Sequence, residues 1–144
     1  MDDKRKNRYK DKIVNLSKYY ELLNKWLKEN NFEKIIKNLE YQEIFAVYHA
    51  AQLSIEVISD ICAMMVKDSQ INAKDNYTNY ETLNRKGILS KDLLLALKEL
   101  NGLRNRIVHD YNGIIDKIAF QSIVKNLPNI KLFKETVESW LEKI

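Results

Sequence analysis

Residues 39–67 read LEYQEIFAVYHAAQLSIEVISDICAMMVK. Apolar residues recur in this segment at spacings of three and four, which indicates an α-helix, and they form two stripes. The first stripe comprises Ile44, Val47, Tyr48, Ala51, Ile55, Ile58, Cys62 and Met65, and the second comprises Ala46, Ala50, Leu53, Val57, Ile61 and Met64. A helix that is apolar on two faces is either central in a bundle or packed against both its own core and a partner subunit. We interpret this helix as part of the core and of a dimer surface.

The remainder of the chain also favours helices. Three glycines and one proline among 144 residues leave few points where the backbone could turn as a β-rich fold requires. The length suits one domain, 1–144. We therefore expect an all-α, antiparallel bundle of about four to six helices.

Cap residues and periodicity predict where the other helices lie. The first is expected from about Tyr9 to Glu29, where Asn30 and Asn31 end the helix. The others are expected over 79–86, from 91 to about 111–113, from 116 to about Asn126, and from Pro128 through at least Leu141. The expected caps are Thr78 or Asn79, then Ser90, then Asp116. Pro128 is expected to open the last helix, because a first helical turn tolerates proline. Residues 68–78 are polar and aperiodic and predict a loop.

Charge and cysteine content limit the class of protein. A net charge of +4 favours polyanionic partners, although the bias is modest. A single cysteine, Cys62, cannot form an internal disulfide, and the start MDDKRKNRYKDK lacks the apolar segment of a signal peptide. No run of about 18 uninterrupted apolar residues is long enough to span a bilayer. We expect a cytoplasmic protein with no membrane partner.

Residues 102–113, GLRNRIVHDYNG, concentrate the side chains that could carry chemistry. Histidine exchanges its proton near neutral pH, and arginine binds phosphate with a fixed fork of donors. Together they suit phosphodiester chemistry. No zinc pattern, phosphate-binding glycine loop or clustered carboxylate set accompanies them, so we expect no metal site and no cofactor.

Helix geometry leaves the pairing of these side chains open. Asn105 and His109 are neighbours on one polar strip, four residues apart. Arg106 lies about 60° from His109 on the helical wheel, whereas Arg104 lies about 140° away. If Arg104 and His109 share a site, the helix must deform, or two copies must meet across a two-fold axis. Alternatively, the strip is a solvated helix edge with a surface ion pair between Arg106 and Asp110.

The order Arg104, Asn105, three residues, His109, one residue, Tyr111 resembles the signature of HEPN-domain proteins, and Tyr111 points to the HepT subgroup. The segments AVYHAAQLSIEVISDI at 46–61 and HDYNGIIDKIAFQSIVKNLPNIK at 109–131 are also similar to that family. Roughly residues 40 to 144 take part in the resemblance. Gly102, on the same strip as Asn105, is expected to allow close approach of a backbone or ligand.

The resemblance implies a metal-independent endoribonuclease toxin that acts as a homodimer on RNA. The ribose 2′-hydroxyl would attack the adjacent phosphate, leaving a cyclic phosphate and a free 5′-hydroxyl. His109 would move protons, Arg104 would stabilise the phosphorane charge, and Asn105 would orient His109 or bind a phosphate oxygen. Wheel geometry favours Arg106 as the phosphate ligand, whereas the family pattern favours Arg104, and we follow the family.

The resemblance also implies a partner and a modification. The partner would be a minimal nucleotidyltransferase antitoxin that attaches AMP to Tyr111, so that the added anion repels RNA. The alternative for Tyr111 is an aromatic side chain that packs at a helix end. The alternative for the whole chain is a non-catalytic helical protein that binds substrate for, or accepts AMP from, such an enzyme, or a purely structural bundle.

Overall fold

The computed structural model describes residues 1–28 and 31–144, with the side chain of residue 31 left out. Over these residues the protein is all-α, as predicted. Its helices are α1 (Asp3–Leu27), α2 (Asn31–Lys37), α3 (Tyr41–Asp68), α4 (Asn76–Arg85), α5 (Lys91–His109) and α6 (Asp116–Glu142). A short 3-10 turn at Tyr111–Gly113 separates α5 from α6.

Helix α3 is the centre of the bundle, where it packs against α1, α4 and α5, while α6 packs against α1 and α5. Neighbouring helices run antiparallel. Arg5 at the start of α1 pairs with Asp68 at the end of α3, and Arg104 near the end of α5 pairs with Glu56 of α3. The antiparallel helical bundle is therefore confirmed.

The two apolar stripes of α3 differ in how completely the bundle covers them. Every residue of the first stripe is buried, and each large aliphatic side chain among them contributes about 1.5–3 kcal/mol to stability. In the second stripe Ala50, Ile61 and Met64 are buried, whereas Ala46, Leu53 and Val57 remain partly exposed. The core role of α3 is confirmed, and its role in a dimer surface stays a prediction. By length and hydropathy α3 could cross a membrane, but 61% of its most apolar window is buried among the other helices.

The structure differs from the prediction at two points near the amino terminus. α1 begins at Asp3 rather than Tyr9, because the Asp2 carboxylate accepts a hydrogen bond from the Arg5 backbone N–H and caps the helix. The predicted end at Glu29 and Asn30 lies outside the described residues. α2 was not predicted, since seven residues are too short for a periodic pattern.

The predicted start of α4 is also wrong. The loop ends at Asp75, whose carboxylate accepts hydrogen bonds from the backbone N–H and the hydroxyl of Thr78. Asp75 therefore caps the helix, and the predicted caps Thr78 and Asn79 lie inside it. Asn79 is buried instead. Its side-chain amide accepts a hydrogen bond from the Lys74 backbone N–H and donates one to the Lys74 carbonyl.

Pro128 does not open a helix, contrary to the prediction. It lies inside α6, which continues from Asp116 to Glu142, and Ile115 rather than Asp116 is the cap residue. Proline costs the helix one backbone hydrogen bond and crowds the preceding turn. The neighbours of Pro128 offset this cost, because Leu127, Ile130 and Phe133 are buried in the core.

Candidate functional site

Helix α5 carries the first part of the candidate site on its outer edge. Its amino terminus is capped as predicted, since the Ser90 hydroxyl accepts a hydrogen bond from the Leu93 backbone N–H. Leu100 and Leu103 are buried against the bundle and fix the rotation of the helix. That rotation leaves Arg104 and Asn105 half-buried at the edge of the helix, with Arg106 and His109 exposed.

The Arg104 guanidinium points back towards α3. Its Nε and Nη2 atoms donate to the Glu56 Oε1 atom, over 3.3 and 3.2 Å. Its Nη1 atom donates to the Asn105 Oδ1 atom over 3.2 Å. The side chains of Arg104 and Glu56 are 27% and 36% exposed, so the ion pair lies at the edge of solvent. Arg104 and Asn105 are therefore brought together, with Glu56 as a third member.

His109 is the last residue of α5, and its side chain is exposed. Among residues 1–28 and 31–144, no hydrogen bond reaches its imidazole, and none joins it to Arg104 or Asn105. Within one chain, therefore, Arg104 and His109 are not in contact through a hydrogen bond, which agrees with their separation of about 140° on the helical wheel. Within the same residues Arg106 forms no ion pair, so the alternative pair with Asp110 is not observed.

Tyr111 begins the 3-10 turn, two residues after His109. Its ring lies 5.7 Å from the ring of Phe45 and 5.7 Å from that of Tyr48, both on α3. The side chain is nevertheless 38% exposed. Partial burial and, next, the negative charge of Asp116 raise the pKa of the Tyr111 phenol above its ordinary value. Tyr111 thus packs at a helix end and remains partly exposed to solvent.

Tyr48 of α3 and Asp116 of α6 pack beside the 3-10 turn that carries Tyr111. The Tyr48 hydroxyl donates to the Asp116 carboxylate, which lies at the start of α6. Burial and this hydrogen bond raise the pKa of the Tyr48 phenol, so Tyr48 remains neutral at physiological pH. The ring of Tyr48 also packs edge-on against Phe120. The position of Tyr111 is therefore set by aromatic contacts that continue into the core.

Gly113 ends the turn, and its backbone N–H donates to the carbonyl of Asp110. A Cβ atom at position 113 would lie 2.5 Å from the Asp110 carboxylate, so the exposed Asp110 side chain would have to move to admit one. Gly102 is different. A Cβ atom at position 102 would meet only the Tyr77 hydroxyl, at 3.8 Å, which is ordinary contact. The close approach expected at Gly102 is not observed within this chain.

Three residues of the site on α3 were not anticipated as its members: Gln52, Glu56 and Phe45. Gln52 Nε2 donates to the same Glu56 Oε1 atom that accepts from Arg104, over 3.1 Å. One signal was available, because Glu56 and Asp60 are the only charged residues between Glu43 and Lys67. An isolated carboxylate in an otherwise apolar helix requires either solvent or a cation.

Metal ligation and nucleophilic catalysis are the remaining kinds of site to consider in this chain. Within the described ranges, no three histidine, cysteine or acidic side chains gather closely enough to hold a metal ion. Cys62 is fully buried, and burial raises the pKa of its thiol, so it is not an activated nucleophile.

The chain is similar in sequence to named ribonucleases and similar in fold to a solved toxin. A protein from Archaeoglobus fulgidus named "Putative RNase" is 38% identical over 102 residues, which span 71% of this chain and 77% of the relative. The tRNA nuclease HepT of Aphanizomenon flos-aquae is 32% identical over 76 residues, about half of each protein. The tri-AMPylated HEPN toxin of Shewanella oneidensis, solved in complex with an MNT antitoxin, superposes with a TM-score of 0.79. That comparison covers 96% of this chain and 99% of the toxin at 19% identity, which establishes a common fold.

The helical bundle of this chain has the fold of that HEPN toxin. The model of the family Ribonuclease HepT-like matches residues 16–137. The chain belongs to the HepT-like ribonuclease family.

Proposed function

We propose that this protein is a metal-independent endoribonuclease toxin that cleaves RNA at a site formed between two copies of the chain. One observation carries the proposal: Arg104 is held at the edge of α5 while His109 is exposed at the end of the same helix. An oriented guanidinium and an accessible imidazole are the two groups that cleavage by a 2′-hydroxyl requires. The family supports nuclease activity, and its named members include a tRNA nuclease.

The chemistry moves two protons, one to a base and one from an acid, and exchanges one oxygen for another on phosphorus. The ribose 2′-oxygen forms a bond to phosphorus as its proton moves to a neutral His109 imidazole. The bond from phosphorus to the 5′-oxygen breaks, and that oxygen receives a proton from a protonated imidazole. Arg104 stabilises the additional negative charge of the phosphorane, with Asn105 beside it. The products are a 2′,3′-cyclic phosphate and a 5′-hydroxyl.

A homodimer resolves the separation of Arg104 and His109 within one chain. A second copy related by a two-fold axis would supply its own His109 opposite Arg104, giving two imidazoles, one as base and one as acid. The partly exposed Ala46, Leu53 and Val57 of α3 support this arrangement, because they leave apolar surface that a second copy of the chain could cover. A net charge of +4 favours the polyanionic substrate.

We further propose a minimal nucleotidyltransferase antitoxin as partner, with Tyr111 as the AMP acceptor. Its exposure of 38% and its position two residues from His109 support this role. An AMP group there would place negative charge where the RNA phosphate binds, and so inhibit cleavage. The HEPN toxin of Shewanella oneidensis, in its complex with an MNT antitoxin, is tri-AMPylated.

Cleavage of purified tRNA and of an unstructured RNA by the purified protein tests the main proposal. His109→Ala should abolish cleavage and Arg104→Ala should lower its rate by about 100- to 1,000-fold, leaving a measurable remainder, while circular dichroism stays unchanged. His49→Ala, the matched control at the chain's other histidine, should cleave normally, since His49 is exposed on α3. Arg106→Ala decides between the two arginines, and a chelator should have no effect.

Undiminished cleavage by the His109 variant would contradict the assignment. Inactivity of the unmodified wild-type dimer, together with AMP transfer to Tyr111, would favour the alternative, a non-catalytic AMP-accepting partner of a nucleotidyltransferase.

A further inference from the structure

Glu56 of α3 accounts for most of the contacts that orient Arg104. Both of the contacts from α3 to this guanidinium, through Nε and Nη2, reach the one carboxylate oxygen Oε1. The same oxygen accepts from the Gln52 amide one turn earlier, which limits the rotation of the carboxylate. The third contact of Arg104 is to its neighbour Asn105. The direction of the guanidinium is thus determined mainly by residues on another helix.

The donors of Arg104 divide into two groups. A guanidinium has five N–H donors, of which Nε–H, one on Nη2 and one on Nη1 are used within the chain. One N–H on each of Nη1 and Nη2 is left for a ligand. Since Glu56 takes the Nε and Nη2 edge, the remaining donors lie at the opposite end of the guanidinium. Two donors at one end match two oxygens of a phosphate group.

We infer that Glu56 is a positioning residue for RNA cleavage, and that it acts by holding Arg104 so that its two remaining donors meet the scissile phosphate. The inference rests on the proposed function. Glu56 itself does not touch the substrate, because its carboxylate would repel a phosphate. Arginine has many rotamers, and without Glu56 the donors of Arg104 would be distributed over them. Misplacement of a positioning group by about 1 Å can lower a rate about 100-fold.

Kinetics of three α3 variants test the inference. Glu56→Ala should lower kcat by about 10- to 100-fold while KM changes less than about threefold, because binding along the rest of the RNA is unaffected. Glu56→Gln keeps an acceptor oxygen and should retain kcat within about fivefold. Asp60→Ala is the matched control, since it removes the next carboxylate of α3 and its ion pair with Lys12, and it should leave kcat unchanged.

A double variant separates positioning from a general loss of stability. If Glu56 acts through Arg104, Glu56→Ala should not lower activity further in an Arg104→Ala background. An equal loss in both backgrounds, or wild-type or higher kcat for Glu56→Ala alone, would overturn the inference. Should Glu56→Ala melt at a lower temperature than wild type, Glu56→Met takes its place, because Met fills a similar volume and is a weak acceptor.

A readout without RNA distinguishes failure of this inference from failure of the proposed function. The NMR signal of the Arg104 Nε–H, assigned by its loss in Arg104→Lys, should exchange slowly with water in the wild type and in Glu56→Gln. It should exchange rapidly in Glu56→Ala. An inactive wild type with this exchange pattern would reject the nuclease and retain the Glu56 contact, whereas identical exchange in all three proteins would reject the contact.

Discussion

The rings of Tyr111 and Tyr48 pack edge to face, with centroids 5.7 Å apart. This contact joins the turn after α5 to the first third of α3, so the ring of Tyr111 is anchored while the residue stays 38% exposed. Removing the hydroxyl should therefore leave the turn in place.

Tyr111→Phe should prevent AMP transfer and preserve RNA cleavage, because the phenyl ring keeps its contacts with Phe45 and Tyr48. Intact-protein mass spectrometry after coexpression with a minimal nucleotidyltransferase should show added AMP on the wild type and none on the variant. Tyr41→Phe is the control, since Tyr41 is 56% exposed in the same aromatic group. The Tyr41→Phe protein should still accept AMP at Tyr111. Modification that persists in Tyr111→Phe would exclude Tyr111 as the acceptor.

The contact of Asp68 with Arg5 and Tyr9 should make stability depend on pH. Burial raises the pKa of Asp68, but the hydrogen bonds from Arg5 and Tyr9 outweigh it, and the pKa lies below its ordinary value of 3.8. Since the folded-state pKa is lowered, the stabilisation is complete above about pH 4 and disappears as the pH falls through the folded-state value. Asp68→Asn should reduce the free energy of unfolding by about 1–2 kcal/mol at pH 7.

Thermal denaturation of both proteins between pH 2 and pH 8 measures this effect. The melting temperatures should differ by a few degrees at neutral pH and converge at the acid end, where the wild-type carboxyl is protonated as well. A difference that stays constant with pH would mean that the charge of Asp68 contributes nothing.

Pro128→Ala should stabilise the protein by about 1–2 kcal/mol. Alanine restores the backbone N–H and removes the clash with the preceding turn, a gain of about 3 kcal/mol that the more flexible unfolded chain partly offsets. Pro128 is exposed, so no core contact is lost. Gln121→Ala, at another exposed position of α6, controls for a general effect of alanine. A lower melting temperature would show that the packing of α6 requires the proline.

Local signals in the sequence were sufficient for some elements and were misread for others, because Asp2 and Asp75 are cap residues by type and were not predicted as caps. Ser90 caps α5 as its residue type predicts, and the first stripe of α3 is buried throughout. Prediction failed where distant contacts decide. α6 continues through Pro128 because buried residues on both sides hold the helix in place, and neither propensity nor periodicity measures that contribution.

The candidate site shows the same division. Arg104, Asn105, His109 and Tyr111 were identified from their order along the chain, and their roles remain predictions. Glu56 was not identified, since it lies 48 residues before Arg104 and the two meet only when α3 and α5 pack. A similar separation conceals the contact of Phe45 with Tyr111.

The Asp110 carboxylate occupies the space beside Gly113, so a side chain at position 113 would affect the motif although it lies outside the motif. A methyl group there would displace the Asp110 carboxylate, and Asp110 is the residue between His109 and Tyr111. Gly113→Ala should therefore shift the Asp110 side chain and leave the bundle folded, because the clash involves an exposed side chain rather than the core. Position 113 thus offers a way to alter the end of α5 while every catalytic candidate keeps its own side chain.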